Sequence, residues 1–313
     1  MFAQKSVNGK IIKSFTEIVI KNMKMISIIG HFAEGENRLN GQTVKTKTIT
    51  EELQKQLGRE RILKFDTHGG WKVFFKAPYQ VFSALKNSNN IIIFPAHNGL
   101  RVYAPLLAFF KVFFKKRKLH YVVIGGWLPF FLSGRRLLSN ALRRFDGIYV
   151  ETETMKKALE RSGFKNVFVL PNCKKLAVLD EKELVYPSGM PLKLCTFSRV
   201  MKEKGIEDAV FAVIKANELL GYTAFTLDIY GQIDVNQTEW FEELKNGFPE
   251  YVSYGGKVPF DKSVNTLKNY FALLFPTYYD GEGFAGTLID AFSAGVPVIA
   301  SNWKYNAEII SEN

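Results

Sequence analysis

From Met25 to Ala300, short β-rich runs alternate with helical stretches, and few folds accommodate that alternation. It predicts parallel sheets covered by helices, because a parallel strand needs a crossover element before the next one. In the first half the pattern predicts strands over Met25–Gly30, Arg61–Phe65, Ile91–Phe94, His120–Ile124, Gly147–Val150 and Val167–Leu170. Helices are predicted over Thr43–Leu57, Leu100–Phe114, Leu137–Phe145 and Thr152–Arg161, the last opening on an N-cap threonine.

Between Asn172 and Pro191 the alternation lapses into a polar stretch punctuated by Pro187, Gly189 and Pro191, the composition of a linker. It then restarts with a strand over Leu192–Phe197 and a helix over Ile206–Leu220. Strands over Thr226–Tyr230, Val252–Tyr254 and Ala272–Phe275 follow, then a helix over Gly286–Ala294 and a strand over Val296–Ala300. The expected organisation is a tail (1–23), a Rossmann-like domain (24–171), a linker (172–191) and a second Rossmann-like domain (192–313). Such sheets bind ligands beyond the carboxyl ends of their strands.

Charge divides the chain along the same line. Residues 1–150 hold 25 Lys+Arg against 8 Asp+Glu, a net of +17, whereas residues 151–313 hold 17 against 22, a net of −5. A basic half beside an acidic one implies an anionic partner for the first: phospholipid, lipid phosphate or nucleic acid. No recognised nucleic-acid-binding module accompanies the charge, so nucleic acid is not expected. The two cysteines, Cys173 and Cys195, have no metal-type spacing and read as reduced thiols. No signal peptide is visible, and the longest apolar run, Tyr121–Leu132, is too short for a membrane-spanning helix. The expected location is cytoplasmic.

Lys111, Lys115 and Lys118 recur at i, i+4 and i+7 beside Lys116 and Arg117, in a stretch that also carries Leu106, Phe110, Phe113 and Phe114. Arg135, Arg136, Arg143 and Arg144 extend the basic character. An apolar stripe flanked by cations fits an interfacial helix on anionic lipid, or a core helix whose cations reach solvent.

The most specific stretch runs from Phe275 to Ser301 as strand, glycine-rich loop, helix, tight turn and strand. Gly281, Gly283 and Gly286 let backbone approach a ligand, and the helix start offers free N–H groups to an anion. Glu282 lies in that loop and Asp290 follows eight residues later. Two carboxylates so placed can bind the hydroxyls of a sugar and a ribose. The same pattern also serves an ordinary βαβ turn with a solvated loop acid, and spacing alone does not choose.

Here the chain resembles the retaining, GT-B-fold glycosyltransferases of family 4, which carry two Glu separated by seven residues in an EGFG…EAMA-G-PVIA pattern. The corresponding run is Glu282-Gly-Phe-Ala, then Asp290-Ala-Phe-Ser-Ala-Gly-Val-Pro-Val-Ile-Ala. The resemblance implies that Glu282 is the catalytic residue contacting the donor sugar and that Asp290 holds the ribose. Asp in place of the second Glu shortens the reach by one methylene. The loop and helix start, Gly283, Phe284, Ala285, Gly286 and Thr287, are implied to line the donor site.

A second motif, Phe197-Ser-Arg-Val-Met-Lys-Glu-Lys-Gly205, resembles the family's Gly-Arg…Glu-Lys-Gly and implies that Arg199 and Lys204 neutralise the donor diphosphate. Looser matches are Asn40-Gly41-Gln42, where relatives have a glycine-rich loop near the donor phosphates, Asp146–Leu159, Leu170-Pro-Asn172 and Tyr230-Gly231. Two departures stand out. Ile124-Gly-Gly-Trp127 replaces the His-Gly of many relatives, and His97 is expected to be structural rather than cleft-lining. The chain also stops soon after Glu308, where relatives continue, so a truncated C-terminal end is expected.

The resemblance therefore implies an α/β GT-B fold of two Rossmann-like domains facing across a cleft. The function expected is hexosyl transfer from a nucleotide-sugar donor to a glycan or lipid-linked acceptor, with retention, as in polysaccharide biosynthesis. No cofactor or metal is expected, and neither an Asp-x-Asp motif nor a His/Cys cluster is present. An anionic membrane surface is the expected third partner, with the enzyme peripheral on its inner face. The competing readings are a sugar-nucleotide epimerase and a non-catalytic or partner-dependent subunit.

Overall fold

Strands Ile26–Gly30 (β1) and Asn90–Ile93 (β3) are buried at every residue, the signature of parallel strands covered on both faces. The structure, a computed structural model, describes residues 25–33 and 41–310. The expected tail (1–23) and Asn40 lie outside the described residues. The chain divides between Lys174 and Lys175 into two compact units.

The first unit holds a six-stranded parallel sheet completed by Ile62–Asp66 (β2), Lys118–Val122 (β4), Gly147–Val150 (β5) and Val167–Val169 (β6), in the order β2-β1-β3-β4-β5-β6. The chain steps outward from β1 to β2 and then returns to β3 on the other side of β1. That reversal is a topological switch point. Around the sheet lie helices Gly41–Leu57 (α1), Val73–Asn87 (α2), His97–Phe110 (α3), Leu128–Leu132 (α4), Arg136–Leu142 (α5) and Glu153–Arg161 (α6). Ile26, Ile28, Ile92 and Val122 pack with Ile49 and Leu53 of α1 in one core cluster.

Two buried polar side chains inside this unit are hydrogen-bonded. Lys45 of α1 is 1% exposed, with Nζ 2.7 Å from Glu151 Oε1 and 3.2 Å from the Val123 carbonyl. His120 of β4 bridges Asn90 Oδ1 (3.0 Å) and the Tyr149 hydroxyl (3.1 Å). Because Asn90 Oδ1 only accepts, the ring proton sits on Nε2 and Nδ1 accepts from Tyr149.

The lysine stretch departs from expectation. Helix α3 ends at Phe110, the turn tightens into i→i−3 bonds from Val112, Phe113 and Phe114, and Lys118 already begins β4. Lys111, Lys115 and Lys118 therefore do not share a helical face. Lys111 is paired with Asp146 at 2.5 Å, and Arg117 donates to the Leu85 carbonyl and Asn89 Oδ1, so both are structural cations. Lys115, Lys116 and Lys118 remain exposed.

The second unit holds a five-stranded parallel sheet of Leu192–Phe197 (β7), Phe225–Tyr230 (β8), Val252–Gly256 (β9), Ala272–Phe275 (β10) and Val298–Ala300 (β11). Their order is β11-β10-β7-β8-β9. Its switch point lies between β7 and β10. Helices Ile206–Leu220 (α7), Thr238–Asn246 (α8), Ser263–Leu267 (α9), Gly286–Ser293 (α10) and Asn306–Ile309 (α11) complete it. Asn217 closes the α7–β8 connection by accepting from the amides of Ala224 and Phe225. Much of the expected linker belongs to this unit: Leu176, Leu179 and Leu184 pack with Leu273 and Ala291, and the Leu179 amide donates to the Ser293 carbonyl.

Candidate active site

Beyond the carboxyl ends of β7 and β10, two loops far apart in sequence are interlocked. The β7 loop turns through residues Lys202–Lys204 into Gly205, which has φ +70° and leads into α7. A Cβ at Gly205 would stand 2.1 Å from the Pro276 carbonyl oxygen, so the turn lies directly on the exit of β10. The Tyr278 amide donates to the Glu203 carbonyl at 2.8 Å. On the other side, a Cβ at Gly231, after β8, would stand 1.7 Å from the Ser198 carbonyl oxygen.

This clamp brings Lys204 against Glu282. Lys204 Nζ lies 2.5 Å from Glu282 Oε2, and the fully buried Thr277 hydroxyl donates to the same oxygen at 3.0 Å. The ammonium also lies 4.9 Å from the centre of the Tyr279 ring. Glu282 is only 7% exposed. A carboxylate so buried needs a cation or several donors, and it has both.

Next to this pair, α10 begins with no side chain capping its first turn. Thr287 donates its hydroxyl to the Phe197 carbonyl, pinning the helix start to the end of β7. Gly283 and Ala285 are buried, Gly286 is half-buried, and Phe284 packs with Phe275, Ala285 and Leu288. A helix N-terminus beside an ammonium is a site suited to phosphate oxygens.

The other expected residues are dispersed. Arg199 is half-exposed, with Nη1 3.5 Å from Asp234 Oδ2. Asp290 is 1% exposed and its Oδ1 accepts from the Ser263 hydroxyl at 2.9 Å, linking α10 to α9. Gly41 lies in the first unit at the start of α1, where a Cβ would meet nothing within 4 Å. His97 is exposed at the start of α3 and stacks on Trp127 at 3.9 Å. Desolvation, then the charges of Arg101 and Arg135, lower its pKa.

Sequence reasoning passed over Thr277 and Tyr279. Their roles depend on the loop folding back so that Ser301 Oγ reaches the Thr277 carbonyl (2.5 Å) and Trp303 Nε1 the Tyr279 carbonyl (2.9 Å). The only available signal was the position of Thr277, five residues before Glu282 at the strand end.

Residues 191–313 match the family model of glycosyl transferases group 1. That segment carries Arg199, Lys204, Glu282 and Asp290. Among curated proteins, the GtfA subunit of UDP-N-acetylglucosamine–peptide N-acetylglucosaminyltransferase from Streptococcus agalactiae is 29% identical over 175 residues, 54% of this chain and 32% of that protein. The Streptococcus gordonii GtfA subunit is 27% identical over 164 residues, 52% of this chain and 31% of that protein. The chain thus spans about a third of the length of the curated relatives it matches. Among solved structures, Anabaena HepE in complex with UDP and glucose superposes with a TM-score of 0.62 at 13% identity, covering 93% of this chain and 84% of that one. The lipopolysaccharide outer core galactosyltransferase WaaB, in its apo form, gives 0.63 at 16% identity, covering 93% and 84%. The fold is GT-B.

Proposed function

We propose that this chain is a glycosyltransferase of the retaining, family-4 type, moving a hexosyl group from a nucleoside-diphosphate sugar to a glycan or lipid-linked acceptor. The observation that carries the reading is the Lys204–Glu282 pair beside the uncapped start of α10, inside the segment matching group 1 glycosyl transferases. In the reaction the bond from the anomeric carbon to the diphosphate oxygen breaks, and negative charge accumulates on the leaving group. Lys204, Arg199 and the α10 amides stabilise that charge, a task that fixed donors perform well because they need no reorganisation. Glu282 accepts hydrogen bonds from sugar hydroxyls, with Thr277 holding its carboxylate. Gly283 to Thr287 line the diphosphate. Asp290, buried and tied to Ser263, is assigned the ribose hydroxyls, with a smaller contribution. No metal is required in this scheme.

The test is a panel of radiolabelled nucleotide sugars offered with a membrane-lipid extract. Transfer from one donor into a lipid-extractable or polymeric product supports the reading, and retention is read from the anomeric configuration of that product. Release of a free, epimerised nucleotide sugar would overturn it.

The acceptor side is proposed to meet an anionic membrane surface from the cytoplasm. Trp71, Phe75, Tyr79 and Phe82 stand exposed along the segment that includes α2, and Phe82 meets Phe110 and Phe114 edge-on, joining it to exposed Phe109 and Phe113. Lys72, Lys76, Lys115 and Lys116 are exposed in the same segments. Aromatic rings with flanking cations suit the headgroup layer, each cation contributing about 1 kcal/mol on anionic lipid. Among the described residues no helix is long and apolar enough to cross a membrane. Sedimentation should show binding to anionic vesicles that weakens with salt and falls in Phe75→Ser/Tyr79→Ser. Equal binding to neutral vesicles would overturn this part.

A further inference from the structure

The first unit contains a cavity of about 750 Å³ bordered by α4, α5 and α6 and the turn after α6. Arg143 leads into β5, and Ser162 and Phe164 lead into β6, so these lining residues lie toward the amino ends of the strands. Arg135, Arg136 and Arg143 line the cavity, and no acidic side chain does.

Two of the three guanidinium groups are held in place. Arg143 donates from Nη1 to Asn140 Oδ1 (2.9 Å) and from Nη2 to the Ser162 carbonyl (2.8 Å), and lies 4.8 Å from the Phe164 ring centre. Arg135 donates to the Phe131 carbonyl at 2.5 Å and covers the Phe131 ring at 4.3 Å. Arg136 is exposed and makes no hydrogen bond or ion pair among the described residues. Three like charges around one cavity repel each other, and fixed guanidinium forks suit the oxygens of a phosphate. The volume falls in the usual range for ligand cavities and exceeds what bare phosphate needs.

The two helices α4 and α5 that line the cavity also carry exposed apolar side chains. Phe130 and Leu137, next in sequence to the lining residues Pro129 and Arg136, are 86% and 88% exposed. Exposed apolar side chains on the helices that line a cationic cavity fit a ligand with a phosphate head and an apolar tail. We propose that this cavity binds the phosphate group of a membrane lipid, with Arg135, Arg136 and Arg143 on the phosphate and Phe130 and Leu137 against the acyl region. This site rests on the reading that the first unit meets an anionic membrane, and it is independent of the transfer chemistry.

The experiment is a calorimetric titration of the full chain with dihexanoyl phosphatidic acid below its micelle concentration, and with inorganic phosphate. Saturable binding of the short-chain lipid is expected, at least tenfold tighter than that of inorganic phosphate. Arg136→Gln should weaken lipid binding about tenfold, and Leu137→Ser should weaken the lipid but not inorganic phosphate. Neither residue is buried, so both variants should fold. Phe75→Ser/Tyr79→Ser should keep short-chain binding while losing vesicles, which separates failure of the α2 face from failure of this cavity. Equal affinity for inorganic phosphate would assign the cavity to a soluble phosphate and overturn the lipid proposal. Absence of saturable binding, or binding that Arg136→Gln leaves unchanged, would overturn the site itself.

Discussion

Lys204 Nζ stands 2.5 Å from Glu282 Oε2 although 78 residues separate them in the chain. The pair has two consequences. It neutralises a carboxylate that is only 7% exposed, and in the proposed function it offers an ammonium to the donor diphosphate. Lys204→Met removes both functions. Loss of one partner of a buried pair costs about 3–5 kcal/mol, taken toward the low end here because both groups keep some exposure. Urea unfolding should register that loss, and calorimetry should show weaker binding of nucleoside diphosphates. Unchanged diphosphate affinity in Lys204→Met would remove the lysine from the donor site.

Gly205 and Gly231 carry the geometry that makes the pair possible. Alanine at either would press a methyl group into a backbone carbonyl, at 2.1 Å and 1.7 Å respectively, in a conformation that L residues rarely adopt. Each change should destabilise the second unit by at least about 2 kcal/mol and reduce nucleotide binding. Gly41→Ala, with open space around it, should stay within about 0.5 kcal/mol of wild type. Thermal unfolding of the three variants checks the contrast. A Gly205→Ala protein as stable as Gly41→Ala would contradict the clamp.

His120 gives the first unit a pH dependence of defined sign. Desolvation lowers its pKa from 6.5 to about 4, against a smaller opposing influence from Asp146. The unfolded chain therefore binds a proton more readily than the folded one between those values. Stability from this group is fully present above about pH 6.5 and is lost as pH falls toward 4, by about 3 kcal/mol in all. Unfolding free energies of wild type and His120→Asn between pH 4 and 7 should diverge in slope. Identical slopes would show that His120 does not titrate with folding.

Much of this architecture was legible in the sequence, because short β-rich runs alternate with helical stretches as parallel strands and their crossovers require. The runs at Gly147–Val150, Leu192–Phe197 and Ala272–Phe275 coincide with β5, β7 and β10 residue for residue. Helix α2 was not legible. Its outer face carries Phe75, Tyr79 and Phe82 where a polar face would be expected, and Pro78 interrupts it, so the helical period is hidden. The lysine stretch misled for the opposite reason. Its spacing is helical, yet Lys118 is drawn into β4 by pairing with Asn90 of β3.

At the candidate site, the motif residues could be located because they cluster in two short segments. The pairing of Lys204 with Glu282, and the hold of Thr277 on the same oxygen, could not be read. Both depend on the packing of Gly205 against Pro276, a relation between loops with no periodicity. Lys45 and Glu151 show the same limit, lying 106 residues apart and meeting only because the first turns of α1 and the residue after β5 both lie at the carboxyl ends of the strands.

Transfer by wild type and Glu282→Gln, measured side by side with the preferred nucleotide sugar and a lipid acceptor extract, tests the central claim most directly. Glu282→Gln keeps the size of the side chain and removes the charge that pairs with Lys204 and that the proposed function assigns to the sugar hydroxyls. The expected result is a fall in turnover of at least about a hundredfold, roughly 2.7 kcal/mol, with nucleoside diphosphate affinity held within a few-fold. Near wild-type turnover in Glu282→Gln would contradict the assignment of the loop carboxylate to the donor sugar.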